Sequence, residues 1–468
     1  MLNWQKKTTR RRFLELAGAG MALGATDLRR ALAAAAEVGD GQLLAPKPSH
    51  FAPRAKRVVF LFMNGGFSQV DTFDYKPELQ KNDDKKVAAE ELFYKFEGKL
   101  LASPFSFERA GQSGLWISNL FPHLKSVMDD LCVIRSLHSD ILEHFQASLQ
   151  MHTGSATFTM PSVGSWISYG LGTFNPNLPS HVVLASKKPY AGAQAWDNSF
   201  LPPEHQGVRI IPGDEPIPNL KSQSRSVTLH ELEQVMLGEL NRRHADLRSD
   251  DARLRARAQS FRVADGMMRV APPLFDISTE SQSTRDLYGL KADDTTSFAY
   301  QCLVTRRMLE SGVRVVEVVD SGGGSNNWDA HGDINDHRRN ALGVDQALKG
   351  FIMDMKQRGL LDDTLVVINT EFGRTPWRQH NAPTPGRNHW HKAFTCLLAG
   401  AGVKGGYAHG QTDQWGAHVV ENPVHVHDFH ATILHILGLD HEALTYRYAG
   451  RDFRLTDVYG KVVQDILT

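Results

Sequence analysis

The sequence predicts a layered α/β fold built on a mostly parallel sheet, and three observations carry that expectation. Short apolar, β-branched runs recur along the chain. They are nearly continuous rather than alternating, as strands covered on both faces tend to be. Helical patterns stand between them, which favours parallel pairing over a meander.

The elements follow in order from the N-terminus. Thr9-Arg10-Arg11-Arg12-Phe13-Leu14 precedes a weakly apolar, Gly-rich stretch (16–25) and the small residues of 31–36. This pattern predicts a twin-arginine export signal over residues 1–36, and with it a periplasmic or extracellular protein. The apolar stretch is too short and too Gly-rich to span a bilayer, and no later segment is long enough either, so a membrane-spanning chain is not expected.

Predicted strands come next, at Val58–Met63, Leu131–Ile134, His181–Ala185, Val313–Val319, Leu365–Ile368 and Phe394–Leu398. The clearest helix runs from about Asp336 to Arg358, with Gly359 suited to stop it, and another covers Asp428–Leu437 before Gly438. A charged, Arg-rich stretch near 224–269 reads as a solvated helical insertion. No linker is evident after the export signal, so 37–468 is expected to form one domain.

Composition narrows the functional classes. The 468 residues are 41% hydrophobic and carry zero formal net charge. That balance gives no footprint for nucleic acid or an anionic membrane. Cys132, Cys302 and Cys396 sit apart in apolar runs, without a CxxC pair, and read as buried small hydrophobes. The 21 histidines crowd into a few stretches.

Ligands gather at the carboxyl ends of parallel strands, and four predicted strands are followed by chemically capable residues. After the first come Gly65-Gly66, Ser68, Asp71 and Asp74; after the second, His138, His144 and His152, the last two spaced for one helical face. After Val313–Val319 come Asp320 and then Trp328-Asp329-Ala330-His331. After Leu365–Ile368 come Glu371 and Arg374, with Arg387-Asn388-His389-Trp390-His391 beyond. Carboxylates and imidazoles suit a cation, and arginines suit a phosphate or sulfate group.

Five phrases carry a resemblance: Gly65–Asp74, Pro161–Trp166, Trp328–His331, Glu371–Pro376 and Gly386–Trp390. With these the chain resembles the alkaline-phosphatase and sulfatase superfamily, and more closely an exported bacterial family of unknown function, DUF1501. The resemblance implies a three-layer sandwich with two neighbouring metal sites and a nucleophile between them. Asp329, His331 and His389 resemble one metal site; Asp71 and Glu371 resemble the other. Asp428–Leu434 resembles the helix near a sulfatase C-terminus.

The sequence departs from the sulfatase pattern where formylglycine would form. His144 stands at that position, counted back from Thr153-Gly154, with Ala147 and Ser148 in place of the following Ser and Arg. Phe372 replaces a second ligand, and Asn64 stands where a strand-end Asp is usual. His144 is then a phosphohistidine-type nucleophile or, as we prefer, a nitrogen ligand. The attack would then fall to water, whose pKa a cation lowers.

The expected activity is hydrolysis of phosphate or sulfate esters, on a small anionic ester or a sulfated or phosphorylated glycan. It would use one or two divalent ions (zinc, manganese, iron, calcium or magnesium). His144, Arg374 and Arg387 are the expected catalytic residues, with Ser68, Asn388 and His391 binding substrate. One alternative is a metal-containing binding protein without turnover. Another is a role in carbohydrate uptake, with Trp328, Trp377, Trp390 and Trp415 as stacking faces.

Overall fold

The structure is a computed structural model, and it describes residues 43–91, 94–220, 226–247, 252–291, 293–320, 327–380 and 384–468. The expected export signal lies outside the described residues. Among these residues no helix is long and apolar enough to cross a membrane. The chain divides into two compact units. One contains the helix Val227–Asp246, inside the stretch read as a helical insertion. The other comprises residues 44–220 and 260–468 and holds the sheet.

Among the described residues the sheet has nine strands. In chain order they are β1 (Arg57–Met63), β2 (Leu131–His138), β3 (His181–Leu184), β4 (Val208–Ile210), β5 (Val315–Asp320), β6 (Thr364–Asn369), β7 (Phe394–Ala399), β8 (Tyr407–His409) and β9 (Val424–His425). Their spatial order is β8-β2-β7-β6-β1-β5-β3-β4, with β9 also paired to β2. β1 runs parallel to both β6 and β5, with Val58 opposite Leu365 and Val315. Only β7 is reversed, antiparallel to β6 and β2.

Each central strand serves two cores, because successive side chains point to opposite faces. Val59, Leu61 and Met63 of β1 join a core with Leu303 of α4 (Phe298–Glu310) and Phe351 of α5 (His337–Gln357). Val58, Phe60 and Phe62 join a second core with Trp166 of α3 (Val163–Leu171) and Phe429 of α6 (Val426–Ile436). Helices therefore cover both faces, and the three layers follow from strands apolar on both sides. Burying each of these large side chains contributes about 1.5–3 kcal/mol. α5 stops where expected: Gly359 adopts φ +68°, open to glycine and strained for most other residues.

Candidate metal centre

Four carboxyl-end loops build the site. β1 runs into Asn64-Gly65-Gly66 and α1 (Gln69–Thr72). β2 leads to α2 (His144–Thr153), which begins with His144. The segment after β5 reaches Asp329 and His331, and β6 ends two residues before Glu371. A short antiparallel ribbon then pairs Arg374 with His389.

His144, Asp329, His331 and His389 each offer a ligand atom, and these atoms all lie within 4.8 Å of one another. Asp329 is the hub. Its carboxylate lies 3.1 Å from His331 Nε2, 3.3 Å from His144 Nε2 and 3.4 Å from His389 Nε2. Arg374 Nη2 donates to it at 2.8 Å, and its backbone N–H donates to Asn327 Oδ1.

The Nδ1 atoms decide what those imidazoles present. His389 Nδ1 faces the Leu142 carbonyl at 2.8 Å, so Nδ1 carries the proton. His331 Nδ1 faces Gln379 Oε1, and His144 Nδ1 donates to Glu371 Oε1 at 2.8 Å. All three Nε2 atoms therefore turn lone pairs inward. His331 and His389 bring theirs to 2.6 Å, and His144 Nε2 is buried without a hydrogen-bond partner. Converging lone pairs beside a carboxylate repel one another unless a cation lies among them, and imidazoles backed by acceptors are the usual support of a metal. The residues fit a metal ion.

The charges differ from ring to ring: His331 and His389 favour the neutral form, and His144 is drawn toward a proton by its two carboxylates. Burial works against ionising Asp329, but the adjoining His144 and His389 imidazoles and the Arg374 charge hold its carboxyl well below the usual carboxylate range. Burial likewise opposes a charge on His144, and the Asp329 and Glu371 carboxylates outweigh it, raising its pKa. Burial and then Arg374 lower His331. Burial brings His389 to about 3 against the pull of Asp329, with Arg374 and the other imidazoles adding to the fall.

The remaining expected residues fall into place unevenly. Glu371 is buried behind His144 and also accepts the Gly65 N–H at 2.9 Å. Asp71 is not brought to this cluster: it is fully buried and ion-paired with Arg387, Nε to Oδ2 at 2.7 Å. The other Arg387 donors go to the carbonyls of Thr375 and Leu101. Arg374 gives its donors to Asp329 and to the carbonyls of Gly65, Gly66 and Arg387. Both guanidinium groups are thus spent on the protein, and neither faces outward as an anion clamp.

Ser68 donates its hydroxyl to Asp71 and its N–H to His337 Nε2, away from the ligand cluster. Asn388 takes the His389 N–H on its own Oδ1, steadying the ribbon. The His391 carbonyl accepts from Ser139, and burial with Lys392 nearby lowers its imidazole to about 4. Phe372 packs its ring on His389 at 4.5 Å, as a wall of the site. Trp328, Trp377 and Trp390 are buried, which corrects their reading as sugar-stacking faces; Trp415 is half-buried.

Sequence reasoning missed three supports. Gln379 orients His331, and only its nearness to the Glu371–Pro376 phrase could have suggested it. Tyr190 stacks on His144 at 3.8 Å and 14°, and its hydroxyl accepts from Asn327 Nδ2. The Leu142 carbonyl has no signal in any side chain.

The fold has known likenesses at low identity. It is similar to the lipoteichoic acid synthase LtaP from Listeria monocytogenes (9% identity, 90% of this chain and 80% of that one, TM-score 0.36). It is also similar to the PsFucS1 sulfatase from Pseudoalteromonas sp. (11%, 82% and 68%, 0.31). A third likeness is to the alkaline phosphatase from the Antarctic bacterium TAB5 (10%, 76% and 94%, 0.30). No curated protein matches by sequence. Residues 55–467 match the profile of the family described as "Protein of unknown function (DUF1501)", and the chain belongs to that family.

Proposed function

We propose that the chain is an exported, metal-dependent hydrolase of phosphate or sulfate esters, holding one ion on His144, Asp329, His331 and His389. The observation that carries this reading is the convergence of three Nε2 lone pairs on the Asp329 carboxylate, each ring fixed from behind at Nδ1. Three imidazoles and one carboxylate suit zinc, manganese or iron better than calcium or magnesium. When bound, the ion would act as a Lewis acid on an ester oxygen and lower the pKa of a nearby water.

His144 serves as a ligand rather than a nucleophile in this reading, since Glu371 holds its Nδ1 and its Nε2 turns to the centre. Glu371 and Arg374 are positioning residues. The substrate, a small anionic ester or a sulfated or phosphorylated glycan, approaches over Asp329 and His331, whose side chains are 26% and 32% exposed. With Arg374 and Arg387 committed to the protein, the ion itself supplies the positive charge that meets the ester.

That commitment of both arginines also favours a second reading, a metal-binding protein without turnover. One experiment separates the two. The protein is purified from the exported fraction, its metals are measured, and a panel of phosphate and sulfate esters is tried beside an Asp329→Ala, His331→Ala variant. Turnover that disappears with the metal supports the hydrolase. Stoichiometric metal without turnover across the panel overturns it in favour of the second reading, and absence of metal from both proteins defeats both.

A further inference from the structure

Away from the ligand cluster, a half-open cavity of about 210 Å³ lies between β2, β8 and the hairpin formed by Phe107–Ala110 and Leu115–Ser118. Phe73, Leu115, Trp116 and Val133 give it apolar walls, and Arg109 and Arg135 line it together. No carboxylate is among the described residues that line it.

Neither arginine is used up by the protein. Arg135 projects from β2 on the same face as Val133 and donates one Nη2 bond to the Gly410 carbonyl, 3.1 Å away. Its Nε is buried and has no hydrogen-bond partner. Arg109 lies over the Trp116 ring at 4.7 Å and donates from Nη1 to the Gly114 carbonyl at 3.1 Å. The contrast with Arg374 and Arg387 is direct, since those two have their donors on protein acceptors.

The rim is built rather than loose. Asp129 accepts the backbone N–H groups of Gln112 (2.8 Å) and Ser113 (2.9 Å), pinning the turn that follows the Arg109 strand. Those bonds lower the Asp129 carboxyl pKa and occupy its oxygens. Two like charges held in one cavity repel each other. A tetrahedral oxyanion relieves that repulsion, accepting from the guanidinium donors the protein leaves free while its bulk fills a space that side chains leave open.

We infer that the Arg109–Arg135 cavity is a binding site for a sulfate or phosphate group, separate from the metal centre. The group would be either a free ion or the charged substituent of a sugar. This inference does not rest on catalysis at the metal centre.

The test is calorimetric titration of the full protein with inorganic sulfate, inorganic phosphate and glucose 6-sulfate. The Asp329→Ala, His331→Ala variant and chelator-treated wild type serve to remove any contribution from the metal centre. Saturable binding is expected to persist in both and to weaken about tenfold or more in Arg135→Met and in Arg109→Ala. Arg135→Lys, which keeps the charge and loses the fork, should fall between. Near-ultraviolet circular dichroism checks that each variant is folded. An equal affinity for sulfate and glucose 6-sulfate identifies the free ion, and a tighter sugar ester identifies a glycan group. Absence of saturable binding once the metal centre is disabled, or binding unchanged in folded Arg135→Met, overturns the inference.

Discussion

Glu371 meets the metal centre only through His144, so changing it separates positioning from coordination. Glu371→Gln is expected to lower metal affinity about 10–100-fold with all four ligands in place, measured by competition with a chromophoric chelator; an unchanged affinity would count against the support role. Asp71 tests the opposite case. Asp71→Asn leaves the Arg387 guanidinium buried opposite a neutral partner and is expected to cost about 3–5 kcal/mol in urea unfolding. The metal content of the folded fraction should not change, because Asp71 is spent on Arg387 rather than on the cluster. Both residues stood in conspicuous phrases, as did Asp329 and His389. A sequence shows that buried charges exist in a loop; which charge answers which is settled by side-chain direction, and there the reading of Asp71, Arg374 and Arg387 ran out.

At the scale of elements, the turn after β1 decides whether the centre can assemble. Gly65 adopts φ +116°, and a Cβ there would lie 2.7 Å from the backbone nitrogens of Trp328 and Asp329. Gly65→Ala should therefore destabilise the fold by about 1–3 kcal/mol and push Asp329 off its hub position. A thermal melt with and without added metal checks this; a variant that melts and binds metal like wild type would disprove the close approach. All six apolar runs read as strands are strands, since continuous β-branched stretches have few other uses in a layered fold. β4, β8 and β9 were missed because two- and three-residue edge strands bury too little to leave a pattern. The reversal of β7 was equally invisible, as an apolar run carries no mark of its direction.

The whole molecule carries histidines buried without charge, and these set its response to acid. Burial lowers His181 to about 4 and His430 to about 3, and burial with Lys47 nearby lowers His205 to about 3. In the unfolded chain each would titrate near 6.5, so below that pH the unfolded state binds protons that the folded state refuses. Each group then costs up to about 1.4 kcal/mol per pH unit until its folded pKa is reached. His152 pulls the other way: burial opposes its charge, Glu317 outweighs burial, and the contribution is present at low pH and lost as pH rises past its raised pKa. His337 and His391 are lowered in the same way, so lowered imidazoles outnumber raised ones and predict a clear fall in the denaturant midpoint between pH 7 and pH 5. A flat or rising midpoint would show that these imidazoles are charged in the folded protein.

β1 lies at the middle of the sheet, yet its two neighbours are encoded far downstream, with Val58 paired to Val315 on one side and Leu365 on the other. During synthesis at about 5–20 residues per second, that strand waits on the order of 15–60 s before both partners exist. Until then the run Val58-Val59-Phe60-Leu61-Phe62-Met63 is an exposed, uncharged, β-prone hexapeptide, the kind of segment that seeds aggregation. The centre of the sheet therefore cannot be completed until residue 369 has been made. Its closure waits on pairings more than 250 residues apart in the chain, the kind of non-local contact that slows folding.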